Sequence, residues 1–264
     1  MKAALVVVVL LYAAFAAFAW LMSDRMIFQP PTPSYTAARL PIVLVPGEHG
    51  ASIATLYLPN PSAALTVLYS HGNAEDLGQV APLLEEYRRA GFAVLAFDYR
   101  GYGASTGGPP SADGATRDME AVYRHAVTTL GISPSRIVLH GRSVGSGPAT
   151  ELAARLPVGG LVIESGFVSA FRVLTGVSLL PFDRFQNLRH IARVRCPVLV
   201  IHGREDEVIP WSHGRRLFES AHEPKTALWV DGAHHNDLAL VAGTRYWTAL
   251  RDFGRSVAER GATP

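Results

Sequence analysis

The sequence of 264 residues holds a single cysteine, Cys196. That excludes an intrachain disulfide and argues against a zinc-thiolate cluster. Placed ahead of Pro197 and the apolar run Val198-Leu199-Val200-Ile201, the thiol reads as a buried residue at a strand entrance rather than as a reagent. Strong charge of either sign is also missing. The formal net charge is +2, and no basic block interrupts the chain, so nothing in the charge pattern suggests a nucleic-acid partner. There is no internal repeat, and no low-complexity segment beyond the N-terminus.

Charge is absent altogether from Ala3 to Met22, where Leu, Val, Ala and Phe dominate. About 20 such residues span a ~30 Å hydrocarbon core as a helix, and a soluble core helix of that length would carry a polar face that this one lacks. Two readings compete: a retained transmembrane anchor, or a cleaved signal peptide with Lys2 as its positive start and Ala17-Phe18-Ala19 as a small-x-small site. The run continues past that site through Trp20, Leu21 and Met22, which favours an anchor over residues 1–25. Lys2 lies on one side of it, while Asp24 and Arg25 nearly cancel on the other. The positive-inside rule then directs the rest of the chain to the extracytoplasmic side; cleavage would make it secreted.

Residues 26–264 have the length and apolar content of one large α/β domain. The prolines of Met26-Ile27-Phe28-Gln29-Pro30-Pro31-Thr32-Pro33 predict a lead-in that cannot continue a helix. Ile42-Val43-Leu44-Val45 and Ile53-Ala54-Thr55-Leu56-Tyr57 predict a hairpin around Pro46-Gly47. Further strands are expected at Leu65–Ser70, Phe92–Phe97, Ile137–Leu139, Leu161–Ile163, Val198–Ile201 and Ala227–Val230. Helices are expected between them, over about Asp76–Ala90 with Gly91 as stop, and over Ser111–Leu130 with Ala115, Met119, Val122 and Ala126 at helical spacing. Apolar runs, rather than strict alternation, predict a mainly parallel sheet covered on both faces, with functional groups in loops at the carboxyl ends of strands.

One such loop is Gly141-Arg142-Ser143-Val144-Gly145, between a strand and the helical stretch Pro148–Arg155. G-x-S-x-G at a strand-to-helix turn holds a serine hydroxyl out from the sheet, its glycines removing side chains that would collide. Ser143 is therefore a candidate nucleophile, and a hydroxyl needs a base, an acid to orient that base, and an oxyanion pocket. Asp231-Gly232-Ala233-His234-His235-Asn236-Asp237 follows the final strand, and one of its two histidines can serve as base. Asp206, in His202-Gly203-Arg204-Glu205-Asp206-Glu207, is the best acid candidate, with Glu164 as the alternative. His202 and His71 read as structural. Backbone N–H groups of Val144 and of Asn73, in His71-Gly72-Asn73-Ala74, are the expected oxyanion donors, so an Asn73→Ala change should be mild.

These segments, together with Asp98-Tyr99-Arg100-Gly101-Tyr102-Gly103, occur in an order that resembles the serine α/β-hydrolase superfamily, and within it the membrane-associated branch of protein depalmitoylases and Bem-type hydrolases. The likeness runs from about Ile27 to the last helix. It implies an α/β-hydrolase fold with a short cap over about residues 166–195 and a catalytic triad of Ser143, Asp206 and His235. The family pattern Gly-Ala-Gly-His-Asn-Asp aligns its histidine with the second of the pair, and His234 stands where glycine is usual. The implied chemistry is acyl transfer from an ester or thioester to water, without metal or organic cofactor. Small-molecule or lipid-like acyl esters are the expected substrates, and the membrane the expected partner. A serine peptidase of the same fold, or a membrane-tethered binding protein without turnover, are the alternatives.

Overall fold

The computed structural model describes residues 1–36 and 38–261; residues 262–264, the end of the expected domain 26–264, lie outside the described residues. The uncharged N-terminal run forms helix α1, Lys2–Ile27. Its apolar side chains are largely exposed, and it is long and apolar enough to cross a membrane, a test that a signal sequence also meets. The helix continues beyond the expected stop through Met26 and Ile27, because nothing before Pro30 breaks it; the Phe28 N–H still bonds Asp24 O at 2.9 Å.

The hairpin forms as expected from β1 (Ile42–Pro46) and β2 (Ser52–Leu58). Then follow β3 (Thr66–Ser70), α2 (Leu77–Arg89), β4 (Ala93–Phe97), α3 (Ala112–Thr128), β5 (Ile137–Arg142), α4 (Ser146–Ala153) and β6 (Gly160–Glu164). Two short helices, α5 (Ala170–Thr175) and α6 (Asn187–Ile191), occupy the expected cap; β7 (Val198–Gly203), α7 (Ser212–Ser220), β8 (Lys225–Val230), α8 (Leu238–Ala242) and α9 (Thr244–Gly261) complete the chain. Among the described residues the strands form one sheet in the order β1-β2-β4-β3-β5-β6-β7-β8. Only β2 runs against its neighbours; the pairs from β4 through β3 to β8 are parallel. This is the α/β-hydrolase arrangement expected from the resemblance.

The apolar runs are explained by burial on both faces. In β3 and β5, Leu68, Ile137 and Leu139 join one core with Met119 and Val122 of α3 and Leu152 of α4. Val67, Tyr69 and Val138 join the other core with Leu84 and Tyr87 of α2 and Tyr246 and Phe253 of α9. Alternate residues face opposite layers, and both layers are apolar. Helix α2 starts at a capping box, Gln79 N–H donating to Asp76 and Asp76 N–H to Gln79 Oε1. Because β3 and β5 are parallel neighbours with Ser70 paired to Gly141, the loops leaving their carboxyl ends lie side by side.

Candidate active site

At the end of β5 the chain turns at Ser143, whose φ of 52° lies in the left-handed region and costs about 1–2 kcal/mol for a residue with a side chain. A Cβ on Gly141 would strike the Gly145 carbonyl, and one on Gly145 would strike the carbonyl of Ser70. Glycine at both places lets the turn and α4 sit directly against the sheet. Ser143 itself stays partly exposed, with the helix start behind it.

The loop after β8 brings His235 over this turn. Its Nε2 lies 3.0 Å from Ser143 Oγ and its Nδ1 lies 2.8 Å from Asp206 Oδ2. With Nδ1–H donating to the carboxylate, Nε2 is left with its lone pair toward the serine hydroxyl. Asp206 is held in turn by the Val208 and Ile209 N–H groups, at 3.0 and 2.7 Å from Oδ1. His202 Nε2 stands 3.3 Å from Oδ2 while also bonding Ile209 O at 2.8 Å. Burial alone would raise the Asp206 pKa; hydrogen bonds from His202, His235 and Ile209 outweigh it and hold the carboxyl well below its usual range.

The other histidine of the pair faces solvent. His234 Nδ1 contacts Glu207 at 3.2 Å, and its N–H donates to Asp237 at 2.7 Å. Glu164, the alternative acid, is not beside His235. Strand register pairs it with Arg142, and it closes a buried ring in which His140 Nε2 lies 3.0 Å and Tyr246 OH 2.7 Å from its Oε2. Tyr87 OH completes that ring, 3.1 Å from His140 Nδ1 and 2.6 Å from Tyr246 OH. Burial pushes the Glu164 pKa up, but the bonds from His140 and Tyr246 and the charge of Arg142 bring it below normal.

Arg142, the first variable residue of G-x-S-x-G, ties the loops together. Its guanidinium pairs with Glu75, stands 3.6 Å from Glu164, and donates to Asn236 Oδ1 at 2.9 Å and His235 O at 3.4 Å. The same Glu75 accepts the Gly72 N–H at 2.8 Å. One buried cation thus braces the loop after β3, the nucleophile turn and the histidine loop. His71 supports the first of these, its Nδ1 2.7 Å from Gly72 O and its Nε2 3.3 Å from Asp98. Burial works against its charge, yet the Asp98 carboxylate beside it leaves its pKa raised.

Asn73 and Val144 sit on the two adjacent loops, and the Asn73 side chain carries a second task. Its Nδ2 donates to Ile27 O at 2.7 Å, and its Oδ1 accepts from Tyr102 OH at 2.7 Å and Gln29 N–H at 2.9 Å. These bonds join the end of α1 to the loop beside Ser143. An Asn73→Ala change therefore removes three side-chain hydrogen bonds, and a larger effect is expected than from loss of a side chain beside a backbone donor alone. Nothing local in the sequence marks Arg142, Glu75 and Asn236 as site residues beyond the position of Arg142 inside the elbow.

A serine aminopeptidase (S33) family model matches residues 61–174, and a serine hydrolase (FSH1) model matches residues 151–236. The chain is 38% identical over 208 residues to human α/β hydrolase domain-containing protein 17B, covering 77% of this chain and 71% of the relative. To protein 17C of Xenopus tropicalis it is 37% identical over 210 residues, covering 78% of this chain and 67% of that protein. Among solved structures, an esterase of Pyrococcus furiosus superposes with a TM-score of 0.73 at 20% identity, covering 86% of this chain and 99% of the esterase. An esterase from a Rhodococcus species gives 0.63 at 18%, covering 82% and 99%. At these identities the structures attest the fold.

Proposed function

Because this chain belongs to the α/β serine hydrolases, within the family of the α/β hydrolase domain-containing proteins 17, we propose that it cleaves carboxylic esters or thioesters through Ser143, His235 and Asp206. The observation that carries this reading is the unbroken chain of bonds from Ser143 Oγ through His235 to Asp206, mounted on a strained turn.

Ser143 Oγ attacks the substrate carbonyl as His235 Nε2 takes its proton, and Asp206 stabilises the resulting imidazolium. The negative oxygen rests on the N–H groups of Asn73 and Val144. His235 then gives its proton to the departing alkoxide or thiolate, leaving an acyl-serine. Water, deprotonated by His235, attacks that acyl group, and the proton returns to Ser143 as the carboxylic acid leaves.

Residues 1–25 serve as the membrane anchor and residues 26–264 as the hydrolase domain, with the cap at about 166–195; the single Lys2 directs the domain to the extracytoplasmic side. A membrane-bound enzyme similar to protein depalmitoylases meets lipid-like acyl esters and thioesters, which we assign as its substrate class. A peptidase is the second reading, favoured by the aminopeptidase model over residues 61–174.

The test is turnover of p-nitrophenyl butyrate and of a butyryl thioester by the full chain, with fluorophosphonate labelling, beside Ser143→Ala. Hydrolysis and labelling are expected, with a loss of roughly a thousandfold or more in the variant. If neither substrate turns over and Ser143 is not labelled, the proposal fails. Faster cleavage of aminoacyl p-nitroanilides than of either ester would replace it with the peptidase.

A further inference from the structure

Helix α1 does more than lead into the domain: it packs along the cap. Ser23 is buried and Ala16, Ala19, Met22, Asp24 and Ile27 are partly buried; Ala16, Ala19, Ser23 and Ile27 recur three or four residues apart along one face. Tyr12 OH donates to Leu179 O at 3.0 Å. Trp20 meets Phe182 edge-on with ring centres 5.1 Å apart, and the Arg184 guanidinium lies 4.6 Å over the same indole. Arg184 also donates to Ser23 Oγ at 3.0 Å and Trp20 O at 3.2 Å, and the Ala112 N–H at the start of α3 donates to Asp24 at 3.1 Å.

Between these contacts runs a groove of about 180 Å³, walled by Phe15, Phe18, Ala19 and Ile27 of α1 and by Ala170 and Leu174 of the cap, among others. It is more than the ~150 Å³ that accepts a benzene molecule. From Phe15 to Trp20 the helix rises about 8 Å, roughly half the ~15 Å depth of one leaflet of a ~30 Å hydrocarbon core. At one end, Ile27 is bonded through its carbonyl to Asn73, the residue whose N–H is assigned to the oxyanion. Toward the other, Leu174 and Leu179 of the cap line the groove and stand largely exposed. Trp20 and Arg184 lie between, a pairing suited to the headgroup level.

We propose that this groove takes the acyl chain of a lipid-like ester or thioester drawn from the bilayer, so that the anchor helix is itself one wall of the substrate site. The proposal rests on the hydrolase reading above. It goes beyond that reading by naming where the chain lies: the carbonyl at Ser143 and Asn73, the first methylenes past Ile27, the remainder between α1 and the cap with one side open to lipid. The groove is too small to enclose a whole long chain, and its open side makes enclosure unnecessary when that side faces hydrocarbon.

The experiment uses the full chain in lipid nanodiscs with p-nitrophenyl butyrate and p-nitrophenyl palmitate, and with short- and long-chain fluorophosphonates. Ala19→Phe and Ala170→Phe fill the groove from its two walls. In each, the palmitate-to-butyrate ratio of kcat/KM should fall at least tenfold, and the long-chain probe should lose its labelling rate relative to the short one by a similar factor. Val43→Phe, on the exposed edge strand, should leave both ratios unchanged. Unaltered ratios in the groove variants, or an equal loss on both esters, would overturn the groove. If the wild-type chain cleaves no ester and Ser143 takes no probe, it is the hydrolase reading that fails.

Discussion

The two sides of the candidate site are built in opposite ways. Beneath Ser143, polar groups do the holding: Arg142, Glu75, Glu164, His140, Tyr87 and Tyr246 are linked by hydrogen bonds and ion pairs, mostly out of solvent. Beside α1, the cap is held by ring contacts, by the Tyr12 bond to Leu179 O and by one cation, Arg184, set over Trp20 and against Ser23 and Asp24, and it leaves large apolar side chains exposed. Directional bonds fix positions to a fraction of an ångström, which proton transfer requires. Apolar contacts specify area rather than geometry and can adjust to chains of different shape. On the proposed reading, the chemistry and the selection of substrate are thereby given to materials suited to each.

Breaking the polar side should have the largest effect. Asp206→Asn leaves His235 without its orienting carboxylate, and kcat on p-nitrophenyl butyrate should fall by roughly 10⁴. The pH dependence follows from the same group. Its folded pKa lies below the usual 3.8, so its stabilising contribution is complete above about pH 4 and is lost as pH falls further. The melting temperatures of wild type and Asp206→Asn should converge as pH falls below 4. Arg142→Ala comes next. Removing the cation deprives Glu75 and Glu164 of their shared counter-charge and frees the His235 loop, so unfolding by urea should show a loss of about 3 kcal/mol, with kcat lowered roughly 10²-fold by misplacement. Arg142→Lys, unable to span the same partners, should recover only part of kcat.

At the seam between the two sides, Asn73→Ala should cost about 1–3 kcal/mol for its three bonds, read as a shift in the urea midpoint. Smallest of all is the effect expected from Cys196, away from both. Burial pushes its thiol up to about 12, so iodoacetamide at pH 8 should leave the native protein nearly unmodified over an hour and its activity unchanged.

Much of this arrangement is legible locally. The sharp turn at Ser143 follows from two glycines between an apolar strand and a helix, and both apolar faces of the sheet follow from runs such as Leu65–Ser70. The helix end is less so: Pro30 announces that α1 must stop, but where it stops depends on Phe28 finding Tyr99, Tyr102 and Phe185, a contact worth about 2 kcal/mol of burial. Arg142 illustrates what local reading misses. Its partners Glu75, Glu164 and Asn236 lie far apart in the chain, and only strand register and loop direction bring them to one guanidinium. Glu164 ends a strand, where a histidine-orienting acid can stand, but β-register turns it toward a different histidine, His140. Between His234 and His235, the composition of the loop offers no distinction, and the family pattern supplied it.

No linker separates α1 from the domain. Its last residue is bonded to Asn73, the next, Phe28, is buried, and the one after donates to Asn73 and Tyr102. With α1 inserted, the domain has no swivel. On the proposed anchoring, its working height above the bilayer would be set once, and its search for substrate would be a two-dimensional one over the lipid surface. Scissile bonds held at that height would then come within range by lateral diffusion alone, while the same bonds on a long soluble spacer would pass overhead.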